Sequence, residues 1–193
     1  VAYSLALQPD CMIVVAGTCS NLTDYDFCLS RYLVNGTLNT NFNGIGKVVT
    51  AIGNGNDGAY SLALQPDGKI VVTGSCLNGT TYDFCLARYL ASGALDLSFN
   101  GSGKVVTAIG SGTDAAYSVA LQPDGKIVVA GRCSNGTNTD FCLARYLASG
   151  ALDVSLNSTG TVITTIGSGG DIARDVALQP DGKIVVAGFC SNG

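Results

Sequence analysis

The stretch Ala63-Leu-Gln-Pro-Asp-Gly-Lys-Ile-Val-Val72 occurs three times without change, at Ala63–Val72, Ala120–Val129 and Ala177–Val186. A fourth copy, Ala6–Val15, differs only in that Cys11 and Met12 replace the Gly-Lys pair. The Gln-Pro-Asp triplet therefore recurs with a constant period of 57 residues. A fixed period of this size is typical of propellers and other stacked-sheet repeats, so we interpret the chain as a tandem array.

Each copy of this stretch predicts a β-hairpin. In the second repeat, Tyr60–Leu64 alternates large and small residues, as a strand does. Pro66 presets the first corner of a turn, and Gly68 supplies the positive φ that closes it. The β-branched segment that follows, Lys69–Gly74, indicates the returning strand.

Four strands are expected in every repeat, at about 59–65, 69–76, 82–90 and 103–109 in the second one. The predicted repeats are 1–57, 58–114 and 115–171, followed by the opening hairpin of a fourth at 172–193. The predicted fold is all-β, with tandem four-stranded antiparallel blades that form a β-propeller-like ring or an open, stacked array. Because a ring typically needs at least four blades, we expect this to be a piece of a longer repetitive product, or one that associates with copies of itself.

The composition excludes several classes of function. The net charge is −4 with scattered Lys and Arg, which argues against nucleic-acid binding. No apolar run of about 20 residues could span a membrane. Without any His, a Ser or Cys nucleophile would lack its usual base. The sequence therefore predicts that the chain is not an enzyme and needs no cofactor.

A family resemblance covers every repeat. The residues that carry it are Leu-Ala-Leu-Gln-Pro-Asp-Gly-Lys-Ile-Val-Val, then Asp-Phe-Cys-Leu-Ala-Arg-Tyr, then Ser-Gly-Ala-Leu-Asp. In these motifs the chain resembles the delta-60 repeat family. That resemblance implies propeller-like repeats of large secreted or surface proteins, and it supplies no catalytic residues. Cysteine at two fixed phases departs from the usual pattern and indicates a crosslinked version.

The cysteines recur at two phases nine residues apart, which predicts the disulfides Cys19–Cys28, Cys76–Cys85 and Cys133–Cys142 across a hairpin. Directly facing positions are expected, and buried free thiols are the alternative. Recurring disulfides indicate an extracellular, oxidising location. Cys11 and Cys190 are left over as candidate thiols for contacts between units.

Asparagine forms a second periodic set. The sequons at Asn21, Asn78 and Asn135 share one phase in the loop between the cysteines, and we expect N-linked glycans there. Further sequons at Asn35, Asn100 and Asn157 carry less weight. Turn chemistry alone is the alternative, because Asn-Gly is favoured in hairpins.

Charged residues also keep the period. Arg31, Arg88 and Arg145 lie on the most apolar strand, and we expect each to pair with a repeated Asp as a clamp between neighbouring sheets. Two sets of aspartates could contribute to Ca²⁺ sites, but capping of turns is favoured because one carboxylate per loop is too few. These sets are Asp57, Asp114, Asp171 and Asp26, Asp83, Asp140. The repeated tyrosines are interpreted as packing residues.

The favoured function is an extracellular structural repeat protein, the building block of a disulfide-stabilised, glycosylated filament or surface layer. The alternative is a closed propeller that serves as an adhesion or carbohydrate- or protein-binding module. Neither end carries a polar cap, so apolar faces bearing Leu5 and Leu7, or Ile184 and Val186, are expected to be covered by further copies or continuing repeats.

Overall fold

The chain forms three four-stranded sheets and one two-stranded sheet, as a computed structural model describes for residues 1–192. Within each sheet the strands follow chain order and pair antiparallel with their neighbours. The predicted all-β fold of tandem four-stranded blades is confirmed. In the described residues the sheets remain separate and do not close into a ring.

The strand bounds are as follows. Blade 1 contains β1 (Ala2–Leu7), β2 (Ile13–Ser20), β3 (Tyr25–Tyr32) and β4 (Lys47–Thr50). Blade 2 contains β5 (Asp57–Leu64), β6 (Ile70–Asn78), β7 (Thr81–Tyr89) and β8 (Lys104–Thr107). Blade 3 contains β9 (Ala115–Leu121), β10 (Ile127–Ser134), β11 (Thr139–Tyr146) and β12 (Thr161–Thr164). The half-blade contains β13 (Asp171–Leu178) and β14 (Ile184–Cys190).

The Gln-Pro-Asp-Gly-Lys turn joins the first two strands of each blade. In blade 2, the amide of Gln65 donates to the carbonyl of Lys69 at 2.8 Å, and Gly68 adopts a φ of 83°. Cys11 occupies the same corner in blade 1 with a φ of 63°. A left-handed corner of this kind costs a side-chain-bearing residue free energy that glycine does not lose.

The hydrophobic core is divided into clusters that lie between successive blades. We call the side of a blade that packs on the preceding blade its front face and the other side its rear face. The front face of blade 2 includes Ile70, Val72 and Tyr89, and these side chains are fully buried against the rear face of blade 1, which includes Phe27 and Leu29. Blades 2 and 3 repeat this arrangement, and the half-blade covers blade 3 in the same way.

The first strand of each blade lies innermost. Strands β1, β5, β9 and β13 contact one another in succession, so they run side by side along the axis about which the blades turn. The turns between the first and second strands of the blades lie at one end of this axis. The hairpins between second and third strands lie at the other end, together with the starts of the inner strands.

The two ends of the array differ from the sequence-based expectation in one respect. Leu5 and Leu7 are exposed by 68% and 64%, as expected for an uncovered front face. Ile184 and Val186 are instead half-buried against blade 3, because they belong to the front face of the half-blade. The exposed apolar residues on β14 are Val185 and Phe189.

Candidate functional site

Disulfides hold the hairpin between the second and third strands of each complete blade. The structure joins Cys19–Cys28, Cys76–Cys85 and Cys133–Cys142. The prediction that the two cysteines face each other directly is wrong, because Cys76 pairs with Asp83 and Cys85 pairs with Gly74. The bond runs diagonally, and its Cα atoms lie 5.8 Å apart, within the range a disulfide spans. A loop of this size contributes about 2–3 kcal/mol in the chain-entropy model.

The periodic sequon asparagines anchor the tips of the same hairpins. Asn78 is exposed, and its Nδ2 donates to Oδ2 of the buried Asp83 at 2.8 Å. Asn21 and Asn135 make the equivalent bonds to Asp26 and Asp140 at 2.7 and 2.9 Å. In these two hairpins Nδ2 also donates to a second oxygen, and Oδ1 accepts backbone amides in an Asx turn. The asparagines therefore have a structural role, and their glycosylation stays a prediction.

The remaining sequons lie in turns with different hydrogen bonds. Nδ2 of Asn100 donates to the Lys104 carbonyl, and Nδ2 of Asn157 donates to the Thr161 carbonyl. Asn35 differs, because the Thr37 hydroxyl donates to Asn35 Oδ1 at 2.7 Å and no acceptor within residues 1–192 contacts its Nδ2.

The aspartates between repeats are buried and bind backbone amides. Asp57 Oδ2 accepts the amides of Ile52 and Gly53 at 2.6 and 3.0 Å, and Asp114 and Asp171 cap the equivalent turns. Burial raises the pKa of the Asp57 carboxyl, and the neighbouring Asp26 carboxylate raises it further, against the opposing effect of the amides. Over residues 1–192, no group of three His, Cys, Asp or Glu side chains is placed to hold a metal. The expectation that no Ca²⁺ is bound stays a prediction.

The three arginines predicted as clamps use two kinds of partner, a carbonyl of the next blade and a carboxylate, and only Arg88 contacts both. Arg88 Nη1 donates to the Ala148 carbonyl in the following blade at 2.6 Å, whereas its Nε pairs with Asp96 of its own blade at 2.8 Å. The predicted carboxylate pair between sheets is therefore wrong. Asp96 follows the same strand on a short turn, and the contact between sheets goes to a backbone carbonyl. Arg145 pairs with its own Asp153 at 2.9 Å.

In blade 1 the carboxylate partner is absent. Asn39 stands where Asp96 and Asp153 stand in the next two blades. Arg31 still donates to the Ala91 carbonyl of the following blade at 2.7 Å, but its buried Nε has no partner within the described chain.

The two remaining cysteines lie at opposite ends of the strands. Cys11 is in the β1–β2 turn, whereas Cys190 pairs in register with Asp171 at the start of β13. Both thiols are exposed. The two cysteines lie about one strand length apart along the strand direction. We therefore do not expect them to form a disulfide with each other within one chain.

A cavity of about 490 Å³ opens at the hairpin end of the inner strands, and tyrosine is its main lining residue. Tyr3, Tyr60 and Tyr117 contribute from successive inner strands, with ring centroids 5.4 and 5.6 Å apart. Tyr25 and Tyr82 contribute from the third strands. The volume is typical of small-molecule sites.

Each inner-strand tyrosine occupies a β-bulge. In blade 2, Ala59 pairs with Gly74 and Ser61 with Thr73, so Tyr60 between them has no paired residue on β6. The same irregularity occurs in every sheet, including the half-blade, where Arg174 takes the tyrosine position. Bulges redirect side chains, and they are frequent beside binding sites. A side chain at Gly74 would overlap the Gly58 carbonyl, so glycine opposite the bulge is required.

Arginine replaces a neutral residue at two positions near the cavity, Arg132 in blade 3 and Arg174 in the half-blade. Arg132 lines the cavity where blades 1 and 2 have Thr18 and Ser75. Its buried Nε has no hydrogen-bond partner, and it makes no ion pair with the described residues. Arg174 lies over the rings of Tyr117 and Phe189, with its guanidinium carbon 4.7 and 5.4 Å from their centroids.

Sequence reasoning did not identify this cavity, because it interpreted all repeated tyrosines as packing. That interpretation fits Tyr89 and Tyr146, which are fully buried and bond through their hydroxyls to Thr50 and Thr107 of the preceding blade at 2.9 Å. The available signal for the cavity was the fixed glycine within β2, β6 and β10, since glycine inside a strand often marks a bulge.

The comparison with known families identifies the repeat. Four segments of the chain, 8–42, 65–99, 122–156 and 179–193, match the family described as "Domain of unknown function (DUF5122) beta-propeller". These segments cover more than half of the residues, so the chain belongs to this propeller-repeat family. The resemblance is therefore confirmed as one to a propeller-repeat family, and the match does not name the delta-60 repeat. No curated protein matches the chain.

A solved structure similar to the chain is titled as that of a "putative gluconolactonase". It is 14% identical with a TM-score of 0.46, and the match covers 95% of this chain but 56% of that chain. The prediction that the chain is not an enzyme is contradicted by this finding and is not carried further. The likeness assigns no activity, substrate or residue to this protein.

Together these findings define a propeller-repeat domain stabilised by three disulfides. Disulfides persist in oxidising compartments, so they indicate a location outside the cytosol. The described residues contain no helix long and apolar enough to cross a membrane.

Proposed function

We propose that this protein is an extracellular structural repeat protein whose copies assemble through the faces of their blades into a filament or surface layer. The observation that carries the proposal is the uncovered front face of blade 1. Its first-strand Leu5 is 68% exposed, whereas Leu62, at the same phase in blade 2, is 8% exposed because blade 1 covers it. Soluble monomers rarely leave a contiguous apolar face of this kind uncovered.

The occupant we propose is the rear face of another blade of this repeat, which a second copy or continuing repeats would supply. Within this chain the front face of each blade packs on the rear face of the preceding blade. We expect the contact between copies to resemble these interfaces. The exposed Val185 and Phe189 on β14 supply apolar groups on the rear face of the half-blade. A front-to-rear contact is head-to-tail, so it generates an open filament or, where the rotation allows, a closed ring.

Light scattering combined with electron microscopy tests the assembly. We expect the chain to form linear or ring-shaped oligomers, and we expect Leu7→Lys to abolish them because it places a charge on the uncovered front face. Leu97→Lys is the matched control, since Leu97 is 65% exposed and Leu7 is 64% exposed. A monodisperse monomer at about 100 μM, or equal effects of both substitutions, would overturn the proposal.

We further propose that the assembly carries N-linked glycans on the hairpin tips, at Asn21, Asn78 and Asn135. Their exposure supports this proposal. Asn78 is the best placed, because a glycosylated amide keeps one N–H and Asn78 makes a single Nδ2 bond, to Asp83. Intact mass of the native protein before and after deglycosylation is the test, with site mapping by peptide. An unchanged mass would leave the hydrogen bonds at the hairpin tips as the whole role of these residues.

We also propose that the repeats of this chain are delta-60 repeats. All four matched segments begin at the Gln of Gln-Pro-Asp, and the segments 65–99 and 122–156 also include the Arg-Tyr and Ser-Gly-Ala-Leu-Asp motifs that carry the resemblance.

A further inference from the structure

We propose that the tyrosine-lined cavity binds a carboxylated sugar, with Arg132 as the group that holds the carboxylate. The site is separate from the blade faces used for assembly and does not depend on them. Its lining comes from blades 1, 2 and 3, and all of these lining residues are present in the described chain.

The uncommitted guanidinium of Arg132 indicates an anionic ligand. Its Nε is buried and lacks an acceptor, which is a costly state for a charged donor. A planar guanidinium fork matches a carboxylate through two parallel hydrogen bonds. The acidic residues of the cavity do not provide this partner: Asp114 accepts backbone amides through both oxygens, and neither it nor Asp57 forms an ion pair with Arg132.

The other lining groups favour a sugar ring. The half-buried Tyr60 and Tyr117 present aromatic surface to the cavity, and the electron-rich face of such a ring attracts the C–H groups of a pyranose. Small hydrogen-bonding side chains surround these rings, namely Thr18, Asn56, Ser75 and Thr113. Alternating aromatic and hydroxyl or amide groups match the alternating C–H and O–H surface of a sugar.

The bulges explain why this surface exists. A regular strand would continue the alternation that packs Leu62 between blades and would leave Tyr60 with the core residues. Because each bulge redirects its residue toward the axis, three tyrosines collect there. Arg132 then makes the cavity asymmetric, since the equivalent residues in blades 1 and 2 are neutral.

Titration calorimetry with D-glucuronate and D-glucose tests the site. We expect glucuronate to bind at least about tenfold more tightly than glucose, the lower end for a charge-assisted hydrogen bond. Arg132→Gln should remove this preference, and Arg132→Lys should keep only part of it because the fork is lost. Arg174→Gln is the matched control, since that guanidinium already stacks on two rings and should leave the preference nearly unchanged.

Other outcomes separate this inference from the assembly proposal. The Leu7→Lys variant should bind glucuronate like the unchanged chain, whether or not oligomers form. Equal binding of the two sugars, a preference that survives Arg132→Gln, or no binding of either sugar at millimolar concentration would overturn the inference. None of these results would bear on the oligomeric state.

Discussion

Three arginines at one phase of the repeat show how strongly a single neighbouring residue changes an environment. Arg31 and Arg88 both cross to a carbonyl of the next blade, and both lie over a phenylalanine ring, with 4.7 and 4.5 Å from guanidinium carbon to centroid. They differ in that Arg88 has a buried carboxylate partner, Asp96, and Arg31 has Asn39 at that position. The pair therefore isolates the effect of one buried charge.

We expect Arg88→Met to destabilise the fold more than Arg31→Met. Loss of Arg88 leaves the buried Asp96 carboxylate without its main counter-ion, which costs about 3 kcal/mol. Lys69, whose Nζ lies 3.8 Å from Asp96 Oδ2, keeps the cost at this lower end. Arg31→Met leaves no buried carboxylate without a partner, so it should lower the free energy of unfolding by only about 1–2 kcal/mol. Denaturant unfolding measures both, and equal losses would show that the bond to the carbonyl of the next blade, which both arginines make, accounts for most of the stabilisation.

A second prediction at this scale concerns the turn residue Cys11. Its φ of 63° is left-handed, and Gly68 holds the same corner at 83°. Cys11→Gly should raise the free energy of unfolding by about 0.5–1 kcal/mol, because relief of the left-handed strain exceeds the added entropy of the unfolded chain. Gly68→Cys should lower it by a similar amount, since a Cβ there meets only Ala91 at an ordinary 3.4 Å. Unfolding curves under reducing conditions decide, and a neutral result for both would contradict the strain argument.

At the scale of elements, the hairpin between the second and third strands combines a disulfide with an Asn–Asp bond. The same hairpin is exposed to solvent differently in successive blades. Cys76 and Cys85 are fully buried under blade 1, whereas Cys19 and Cys28 are half-buried on the uncovered front face. Loop length is equal in the two blades, so burial is the variable that differs.

We expect a limiting reductant to open Cys19–Cys28 before Cys76–Cys85 and Cys133–Cys142. Exchange requires a thiolate to reach a sulfur atom, and the blade 2 sulfurs are covered by a neighbouring blade. Timed alkylation followed by peptide mass spectrometry gives the order of opening. The exposed free thiols Cys11 and Cys190 are the internal reference, because they should be alkylated without reductant. Simultaneous opening would indicate that the array unfolds globally before reduction. Protection of Cys19–Cys28 in oligomers but not in Leu7→Lys would link this face to assembly.

Most of the elements could be predicted from the sequence, because their signals are local. Alternation, β-branched residues and the Pro-Asp-Gly turn placed the strands of blade 2 within a few residues of their observed bounds. The lining of the cavity could not be predicted in the same way. Strict alternation puts Tyr60 on the side of Leu62, but the bulge between Ala59 and Ser61 breaks that alternation. Gly74 is a local signal of this bulge, but the approach of the two backbones at that glycine depends on the pairing of β5 with β6, which no short window of sequence describes.

The partners of the arginines at this phase of the repeat also could not be predicted from the local sequence. The alternation correctly placed Arg88 with Phe84 and Leu86 on one face. Which carbonyl it reaches depends on how blade 3 is rotated onto blade 2, and that rotation is a property of the packed faces.

At the scale of the whole molecule, two groups of aspartates with opposite pKa shifts determine how stability changes in acid. Asp57 and Asp114 are buried between blades, and burial, reinforced by the Asp26 and Asp83 carboxylates, raises their pKa above the ordinary value of 3.8. The opposite holds for Asp153, where hydrogen bonds from Ser155, together with Arg145, outweigh burial and lower the pKa. The exposed turn residue Asp67 has a pKa lowered by its bond to Lys69.

These shifts predict that the fold is most stable in mild acid. A raised pKa means that the folded state binds the proton more tightly, so the free energy of unfolding rises as pH falls from neutral toward 3.8 and protonates Asp57 and Asp114. Below 3.8 the lowered group of aspartates loses its contribution as pH falls through the folded-state pKa values, so the free energy of unfolding declines. The maximum should therefore lie near 3.8, well below neutrality.

Denaturant midpoints measured from neutral pH down to about pH 2.5 test this curve. Asp57→Asn should raise stability at neutral pH and flatten the limb above 3.8, because an amide oxygen still accepts the Ile52 and Gly53 amides without a charge to protonate. Asp67→Asn is the matched control, since it should lower stability by a constant amount above 3.8 and change the slope only below 3.8, where the Lys69 pair is otherwise lost. If stability instead falls steadily from neutrality and Asp57→Asn leaves that fall unchanged, the carboxylates between blades do not carry the acid response. Charge repulsion between Asp26 and Asp57 would then be too weak to matter across the blade interface.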